Sequence, residues 1–386
     1  MDTRPMDTKP MDTKQGLEGV VAATTRLSSV DGEAGVLLIA GFPVEDLAPL
    51  ATFEETTWLL WNGALPGASE LAAFRRRLAS RRALPEATLD LLRAAASRRV
   101  SVMDALRMAA GSLSLVEGTG QDPNEDSATL VAAFPTIVAA YWRLLEGKEP
   151  VEPREDLGHT ASFLYLLTGE EPAAERVRGL ETYLNTVIDH GFNASTFTAR
   201  VIISTRSDLI SAITGAVGAL KGPLHGGAPG PALDMVFEIG TADRAESVLR
   251  EKLARGERLM GFGHRIYRVR DPRADVLAEA AARFYKSAGD AALYDLARSV
   301  EATALRLLRE HKPDRPLDTN VEFYTALLLH GLGLPTELFT PLFAVGRVSG
   351  WVAHCLEQLA HGRLIRPQSE YVGERDRRWV PLEARG

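Results

Sequence analysis

The sequence predicts an all-α protein of two domains with one small β-hairpin near its start. Its 386 residues exceed what a single core usually organises. Apolar residues make up 45% and charged residues 25%, the profile of a well-packed globule. From about residue 44 onward, helical periodicity with start and stop signals recurs, and only one pair of segments reads as strands.

The hairpin is predicted from the first apolar segments. Residues 20–30 alternate loosely between apolar and polar side chains, and the next apolar run is Val36 to Ala40. Between them stands Asp31-Gly32, a dipeptide suited to a type I′ turn. We therefore expect a two-stranded hairpin that turns at this dipeptide.

Capping patterns predict where the first helices begin. Thr52 with Glu55 forms a capping box ahead of a helix that ends near Gly63, and Ser101 with Asp104 opens another. Ser69 precedes a predicted helix from Glu70 to Arg82. Further amphipathic helices are predicted over residues 128–145, with a kink at Pro135, over 157–167 and over 174–189.

Four small residues recur on one predicted helical face: Ser211, Gly215, Gly218 and Gly222. Such a face allows two helices to approach closely, either inside the core or across a dimer interface. Chance clustering in a chain rich in glycine and alanine is the alternative.

Two breaks in the periodicity suggest domain boundaries. Residues 222–230 are rich in Gly and Pro, and residues 312–320 in Pro and Asp. We expect a disordered pentapeptide repeat at residues 1–15, a large helical domain formed by 16–222 and 319–386, and a small helical domain at 223–318. The crevice between the two domains is the default place for a site.

Charge and composition exclude several function classes. The formal charge of −7 disfavours nucleic acid and anionic membranes as partners. Charged residues or histidines interrupt every apolar run before the roughly 20 residues that span a bilayer, and the N-terminal repeat lacks the apolar core of a secretion signal. The single cysteine, Cys355, cannot form an internal disulfide, fits a reducing cytoplasm, and is expected to be a packing residue.

The common nucleotide and metal motifs do not match. Gly261-Phe262-Gly263 lacks the third glycine and the preceding strand of a dinucleotide site, and no GxxxxGK[ST] occurs. The eight histidines include no HExxH, so we expect no metal and no tightly bound cofactor.

Three histidines stand next to glycine in predicted loops or at helix ends: His190, His225 and His264. Neutral imidazoles that converge on a crevice suit acid-base chemistry at a carbonyl, although each one taken alone could equally be a turn or cap residue. Arg347 lies in an apolar helical pattern, where a charge is costly unless it is paired or binds a ligand. Arg273 and Arg366 are weaker candidates for binding a carboxylate.

These residues belong to longer strings that resemble the citrate synthase family in order and spacing, from about residue 16 to the end. The strings are GLEGV, TFEETTWLLWNG, DHGFNASTFTAR, LKGPLHGGAPG, GFGHRIYRVRDPRA, NVEFYTA, FAVGRVSGWVAHCLEQ and RPQSEYVG. The resemblance implies the family's two-domain helical fold and the condensation of acetyl-CoA with oxaloacetate and water to citrate and CoA. It also implies a homodimer.

The resemblance also implies residue roles. His225 would stabilise the enol of the acyl group, and His264 would face the ketone oxygen of oxaloacetate. His190, Arg273 and Arg347 would bind oxaloacetate together with Arg366, which would reach in from the partner subunit. The coenzyme A contact would be the segment that consists of Arg258, Leu259, Met260, Gly261 and Phe262.

One position departs from the family pattern, in which the base is the aspartate of NVDFY. This chain has Glu322 there, and the flanking residues fix the register at Glu322 rather than at Asp318, which could cap the following helix. Glutamate keeps the carboxylate but adds a methylene, and a displacement of about 1 Å can cost on the order of a hundredfold in rate. Glu322 therefore leaves open a catalytically weak or silent dimer that only binds ligands. A second alternative is a 2-methylcitrate synthase that uses propionyl-CoA, because one sequence does not show the volume beside the acyl methyl group.

Overall fold

The structure is a computed structural model, and it describes residues 15–17, 19–226, 229–289, 291–313 and 317–385. The predicted repeat at residues 1–15 lies outside these ranges apart from Gln15. The described chain is mostly helical, as predicted, with one small sheet near its start.

The sheet is an antiparallel meander of three strands: β1 (Ser28–Asp31), β2 (Val36–Ile39) and β3 (Phe42–Pro43). The hairpin is where the sequence predicts it, but the two-residue turn is wrong. Asp31 pairs with Val36, so the connection has four residues, and Gly35 rather than Gly32 has a positive φ, of 69°. The Asp31 carboxylate accepts hydrogen bonds from the N–H groups of Glu33 and Ala34, and these two bonds stabilise the four-residue turn.

Sixteen α-helices follow along the described chain. They are α1 (Val44–Leu47), α2 (Phe53–Asn62), α3 (Ala68–Ala79), α4 (Glu86–Ser97), α5 (Val102–Ser112), α6 (Pro123–Leu145), α7 (His159–Thr168), α8 (Ala174–Val187), α9 (Ala194–Ser204), α10 (Leu209–Leu220), α11 (Pro229–Ile239), α12 (Ala245–Ala254), α13 (Pro272–Ala288), α14 (Ala292–His311), α15 (Val321–Gly331) and α16 (Phe339–His361).

Caps explain several of these helix starts. Thr52 and Glu55 form the predicted capping box of α2, and Ser101 caps α5 as predicted. Helix α3 begins before Ser69, because the Glu70 carboxylate accepts the N–H of Gly67, which is the N-cap. Side chains thus satisfy the N–H groups that a helix start leaves without a partner.

Helices α6 and α16 form the centre of the core. Helix α6 starts at Pro123, five residues earlier than predicted, and continues through Pro135 as one helix. By length and composition alone α6 could cross a membrane, contrary to our expectation, but 78% of its most apolar window is buried inside the structure. It is therefore the central core helix here. Cys355 of α16 is fully buried, as expected of a packing residue.

The predicted small-residue face of α10 packs within the chain only in part. A Cβ on Gly215 would lie 2.3 Å from a side-chain atom of Ile202 on α9, and one on Gly218 would contact Arg107 of α5. Gly222 lies beyond the helix end at Leu220, so the predicted face is one residue shorter. Close packing is thus present at Gly215, whereas Ser211 and Gly218 are exposed, and the dimer interface stays a prediction.

Both predicted breaks separate helices, since α10 ends at Leu220 before α11, and α14 ends at His311 before α15. The domain boundaries at these breaks stay a prediction.

After the second break the chain returns beside an earlier loop, where Phe262 and Thr319 form an isolated antiparallel bridge. This bridge places the start of α15 next to the loop that follows α12.

Candidate active site

Glu322 lies in the first turn of α15, and hydrogen bonds made by residues 318–320 fix the start of this helix. The Oδ1 of Asn320 accepts the Glu322 N–H, so Asn320 is the N-cap, and the expectation that Asp318 caps this helix is wrong. The Asp318 carboxylate accepts the N–H of its neighbour Thr319 instead. The N–H of Asn320 donates to Gly261 O at 2.9 Å, and Gly263 N–H donates to Asp318 O at 2.7 Å.

Burial raises the pKa of Glu322 to about 7. The nearby charge of Arg273 opposes this rise, whereas that of Asp271 adds to it. A carboxylate whose pKa is close to neutral is a stronger base than an ordinary one, and at pH 7 a large share of it is still ionised. Glu322 is therefore suited to remove a proton from carbon.

His264 is held in one tautomer by its own loop. The N–H groups of Ile266 and Tyr267 both donate to its Nδ1 at 3.1 Å. Nδ1 must then carry a lone pair, so the ring proton is on Nε2. Burial, with the charge of Arg273, lowers the pKa of His264 to about 4, which keeps the ring a neutral donor at pH 7.

His225 is held in the opposite tautomer. The backbone N–H of Ser195, which can only donate, points at His225 Nε2 at 3.3 Å, and Ser195 Oγ lies 2.7 Å from the same nitrogen. The indole N–H of Trp351 donates to that Oγ at 3.0 Å. His225 therefore carries its proton on Nδ1, and burial together with the charge of Arg347 lowers its pKa to about 4.

His190 and Tyr267 lie beside His264. The ring of His190 lies edge-on to that of His264, with centroids 5.8 Å apart, and its Nε2 lies 3.1 Å from the hydroxyl of Tyr267. Burial and the charges of Arg273 and Arg347 hold the pKa of His190 well below its usual range. His190 is therefore neutral at physiological pH.

Arg273 begins α13 and is buried with its own counter-charge. Its Nε and Nη2 donate to the two oxygens of Asp271 at 3.0 and 2.8 Å. The side chain is 4% exposed, and the guanidinium also lies over the ring of Tyr267. Although burial lowers the pKa of Arg273, the Asp271 charge and hydrogen bonds raise it above the usual value.

Arg347 lies inside α16 and is 1% exposed. Its Nε donates to Val187 O, and its guanidinium lies 4.6 Å from the ring centroid of Phe343. Within the described ranges no carboxylate lies within 4.0 Å of it. Burial lowers the pKa of Arg347 to about 10, even though the charge of Asp189 opposes this. The buried cation is thus only partly compensated, which favours binding of an anion.

A buried chain of side chains supports Asp189, the neighbour of His190. His354 Nε2 lies 3.2 Å from the Asp189 carboxylate, and His354 Nδ1 accepts from Arg200 Nη1 at 3.0 Å. Arg200 in turn donates to Glu357 at 2.7 Å. Each group is therefore held by the next, which fixes Asp189 between the His190 loop and Arg347.

The remaining sequence candidates differ in their placement. Leu259, Met260, Gly261 and Phe262 precede His264, and the ring of Phe262 lies 5.4 Å from that of Phe323, next to Glu322. Arg258 starts this segment and is exposed. Arg366 lies after α16, is exposed, and makes no hydrogen bond or ion pair with the described site residues of its own chain. The charge of Arg273 acts on His190, His264 and Glu322, and that of Arg347 acts on His190 and His225. Arg366 is not part of this group.

Several residues that hold the site were not among the sequence candidates: Tyr267, Ser195, Trp351, Asp271 and Asp189. All five stand inside the motif strings quoted above, so position within those strings was the available signal. Nothing in a single sequence shows that Ser195 and Trp351, 156 residues apart, share one histidine.

The fold is helical, and the candidate site combines a buried carboxyl at Glu322 with neutral histidines and two buried arginines, a set of groups suited to removing a proton and to binding an anion. In the part of the chain that the structure describes, no group of three His, Cys, Asp or Glu side chains could hold a metal ion.

Comparison with known proteins identifies the class further. Residues 16–368 match the family described as "Citrate synthase, C-terminal domain". The chain is 42% identical to the citrate synthase of Haloferax volcanii, covering 96% of this chain and 99% of that protein. It is 38% identical to the 2-methylcitrate synthase of Shewanella oneidensis, covering 96% and 97%.

Solved structures agree. The citrate synthase of Pyrobaculum aerophilum matches with a TM-score of 0.86 at 38% identity, covering 96% of this chain and 95% of that one. A ternary complex of the Thermoplasma acidophilum citrate synthase with carboxymethyl coenzyme A and oxaloacetate matches with a TM-score of 0.86 at 30% identity, covering 96% and 98%. The chain belongs to the citrate synthase family, and it is an enzyme with that family's all-α fold.

Proposed function

We propose that the protein condenses acetyl-CoA with oxaloacetate and water to give citrate and free CoA. One observation carries the proposal: the charge of the buried Arg273 acts both on Glu322, whose pKa burial raises to about 7, and on the neutral His264, while the charge of the buried Arg347 acts on the neutral His225. The Thermoplasma relative, whose title names oxaloacetate and a coenzyme A derivative, supports the choice of substrates.

Oxaloacetate is a dianion, and the arginines supply charge for its carboxylates. The charge of Arg347 is only partly compensated inside the protein. Two nitrogens of the Arg273 guanidinium, Nε and Nη2, donate to Asp271, so the third nitrogen is left for a substrate carboxylate. His190, neutral and fixed by Tyr267, offers a further hydrogen bond. In the assembled enzyme Arg366 adds a contact from the partner subunit of a homodimer.

Proton removal from the acetyl methyl group is the work of Glu322. As the C–H bond breaks, its electron pair moves toward the thioester carbonyl, and the Nδ1–H of His225 stabilises the oxygen that gains negative charge. A neutral imidazole is suited to this because it donates without a full charge of its own.

Carbon–carbon bond formation follows at the ketone. The enol carbon attacks the ketone carbon of oxaloacetate, and the Nε2–H of His264 donates a hydrogen bond to the ketone oxygen as negative charge builds up on it. One proton, equal to the one that Glu322 removed from the methyl group and releases again, converts this oxygen to a hydroxyl and leaves His264 neutral. Water then replaces CoA at the thioester carbon and releases citrate and the free thiol. Closure of the site over the substrates would protect the enol from water in the first two steps.

Coenzyme A is assigned to the segment from Arg258 to Phe262. This segment leads directly into Gly263 and His264, and its backbone pairs with residues 318–320 just before Glu322. An acyl group attached there would thus be close to the base. The division into a large and a small domain at residues 223 and 318, and a cytoplasmic location, belong to the same proposal.

A second function is 2-methylcitrate synthesis from propionyl-CoA, which the relative from Shewanella favours. The two reactions differ by one methylene of the acyl group, and a pocket distinguishes such substrates by only about 1–3 kcal/mol.

The test is steady-state release of free thiol with oxaloacetate and either acetyl-CoA or propionyl-CoA. We expect a higher kcat/KM for acetyl-CoA, and a reversed preference would favour the second function. The Glu322→Gln variant is the control for catalysis by this site. No thiol release from either acyl-CoA, in a protein that still binds oxaloacetate, would refute both functions and leave a binding protein.

A further inference from the structure

The turn between β1 and β2 lies directly against the loop that carries His264. Arg268 N–H donates to Gly32 O at 2.8 Å. A Cβ on Gly32 would lie 2.3 Å from the carbonyl oxygen of Ile266, far inside van der Waals contact, and the atom it would meet is backbone. Gly32 does not have a positive φ, so this close approach, not the backbone angle, requires glycine.

The carbonyl that Gly32 touches belongs to a residue that holds the histidine. Ile266 N–H and Tyr267 N–H are the two donors to His264 Nδ1. A displacement of Ile266 by the hairpin would therefore move the donors that fix the ring and its tautomer.

The hairpin also contacts the His190 loop. Ser28 Oγ accepts the N–H of Gly191 at 2.9 Å, and His190 Nε2 reaches the hydroxyl of Tyr267. The hairpin thus contacts both the His190 loop and the His264 loop, and these two loops also contact each other. Arg26 N–H, just before β1, donates to Glu357 on α16 and anchors the hairpin to the core.

We propose that the β1–β2 turn, through Gly32, is a positioning element that holds His264 in place for the ketone of oxaloacetate. The role given to the ketone rests on the proposed function. The placement of His264 by the hairpin does not, and it can be tested separately.

The first test is the Gly32→Ala variant, with ring titration of His264 followed by NMR and assigned with a His264→Asn variant. Among the described residues, the charged and titratable groups around this ring include His190, Tyr267, Arg273 and Asp271, together with Arg265, its neighbour in the chain. If the added methyl pushes the loop outward, burial of the ring decreases and the pKa of His264 should rise by about one unit. Glu33→Ala, an exposed change in the same turn, is the matched control and should leave it unchanged.

The second test separates two partial reactions. Condensation, measured as thiol release at saturating substrates, should fall about tenfold or more in Gly32→Ala. Exchange of acetyl methyl protons into deuterated water, with malate in place of oxaloacetate, does not need the ketone donor and should stay within about twofold. A role in folding alone would lower both rates together, because it reduces the amount of native enzyme.

The outcomes distinguish the two proposals. If the unchanged protein does not condense oxaloacetate, the proposed function fails, while the His264 titration still decides the positioning role. An unaltered His264 titration in Gly32→Ala, or equal losses in both partial reactions, would overturn the positioning role. If Gly32→Ala does not fold, Asp31→Ala replaces it, since it removes the acceptor for Glu33 and Ala34 N–H and loosens the turn without adding an atom. It should shift the same readouts in the same direction by a smaller amount.

Discussion

Arg273 at the start of α13 and Arg347 in the middle of α16 are both buried next to His190, but their charges are compensated differently. Arg273 forms a two-point ion pair with Asp271, and its pKa is raised. Arg347 donates to a backbone carbonyl and has Asp189 only at longer range, and its pKa is lowered to about 10.

The difference indicates which arginine is held for a ligand. A buried cation with incomplete compensation costs folding free energy, and a bound anion recovers that cost. Arg347 therefore gains more from a substrate carboxylate than Arg273, whose pair with Asp271 is already satisfied in the free protein. The following predictions test this contrast.

The largest effect is expected from Arg347→Leu on oxaloacetate binding. The dissociation constant should increase on the order of a thousandfold, since a desolvated charge-assisted contact is lost. The free energy of unfolding without ligand should stay the same or increase, because an uncompensated buried charge disappears. Calorimetric titration and urea denaturation measure the two quantities. Arg347→Lys is the control for charge alone, and an unchanged affinity in Arg347→Leu would remove this residue from the oxaloacetate site.

The opposite stability effect is expected from Arg273→Leu. This change leaves the Asp271 carboxylate buried without its partner, so the free energy of unfolding should fall by about 3 kcal/mol. Urea denaturation measures the loss. The double variant Arg273→Leu with Asp271→Asn removes the orphaned charge and should regain much of the stability. Equal stability of the single and double variants would contradict the ion-pair interpretation.

A smaller effect is expected on the pH dependence of kcat/KM, which reports the ionisation of Glu322 near Arg273. Glu322 must be ionised to act as a base, so kcat/KM for acetyl-CoA should fall tenfold per pH unit below about 7. Because the charge of Arg273 lowers the pKa of Glu322, Arg273→Leu should move the acidic limb of the pH–rate profile to higher pH. The profile is measured by initial rates across pH 5 to 9. A limb close to pH 4.5, the value for an ordinary glutamate, would be inconsistent with a buried base.

The smallest effect is on thermal stability without substrate. Because the pKa of Glu322 is higher in the folded protein than the ordinary value of 4.5, ionisation costs stability as the pH rises from 4.5 through about 7. Glu322→Gln should therefore raise the melting temperature by a few degrees, about 2–4 °C, at pH 8 and leave it nearly unchanged at pH 4.5. Calorimetric melts at the two pH values measure this difference. A variant that melts lower than the unchanged protein at pH 8 would show that the carboxylate is stabilised by its surroundings.

The contrast between the two arginines was only partly predictable. The apolar pattern around Arg347 marked it as a costly charge, because helical periodicity places its neighbours in the core. Arg273 was a weaker candidate, since nothing in the local sequence shows whether Asp271 turns toward it. The cap at Asp318 and the turn at Asp31-Gly32 were wrong for the same reason: several nearby residues could satisfy the same backbone groups, and tertiary contacts selected among them.

The sequence by itself determined the all-α class, the hairpin, several helix starts and the motif strings that contain the site. These features depend on residues close together in the chain, whose periodicity and capping act locally. Only the tertiary structure decided the tautomers of His225 and His264, the near-neutral pKa of Glu322 and the contact of Gly32 with the His264 loop. Each of these depends on burial and on partners far apart in sequence, such as Ser195 with Trp351, because desolvation and hydrogen-bond geometry arise only when distant segments pack together.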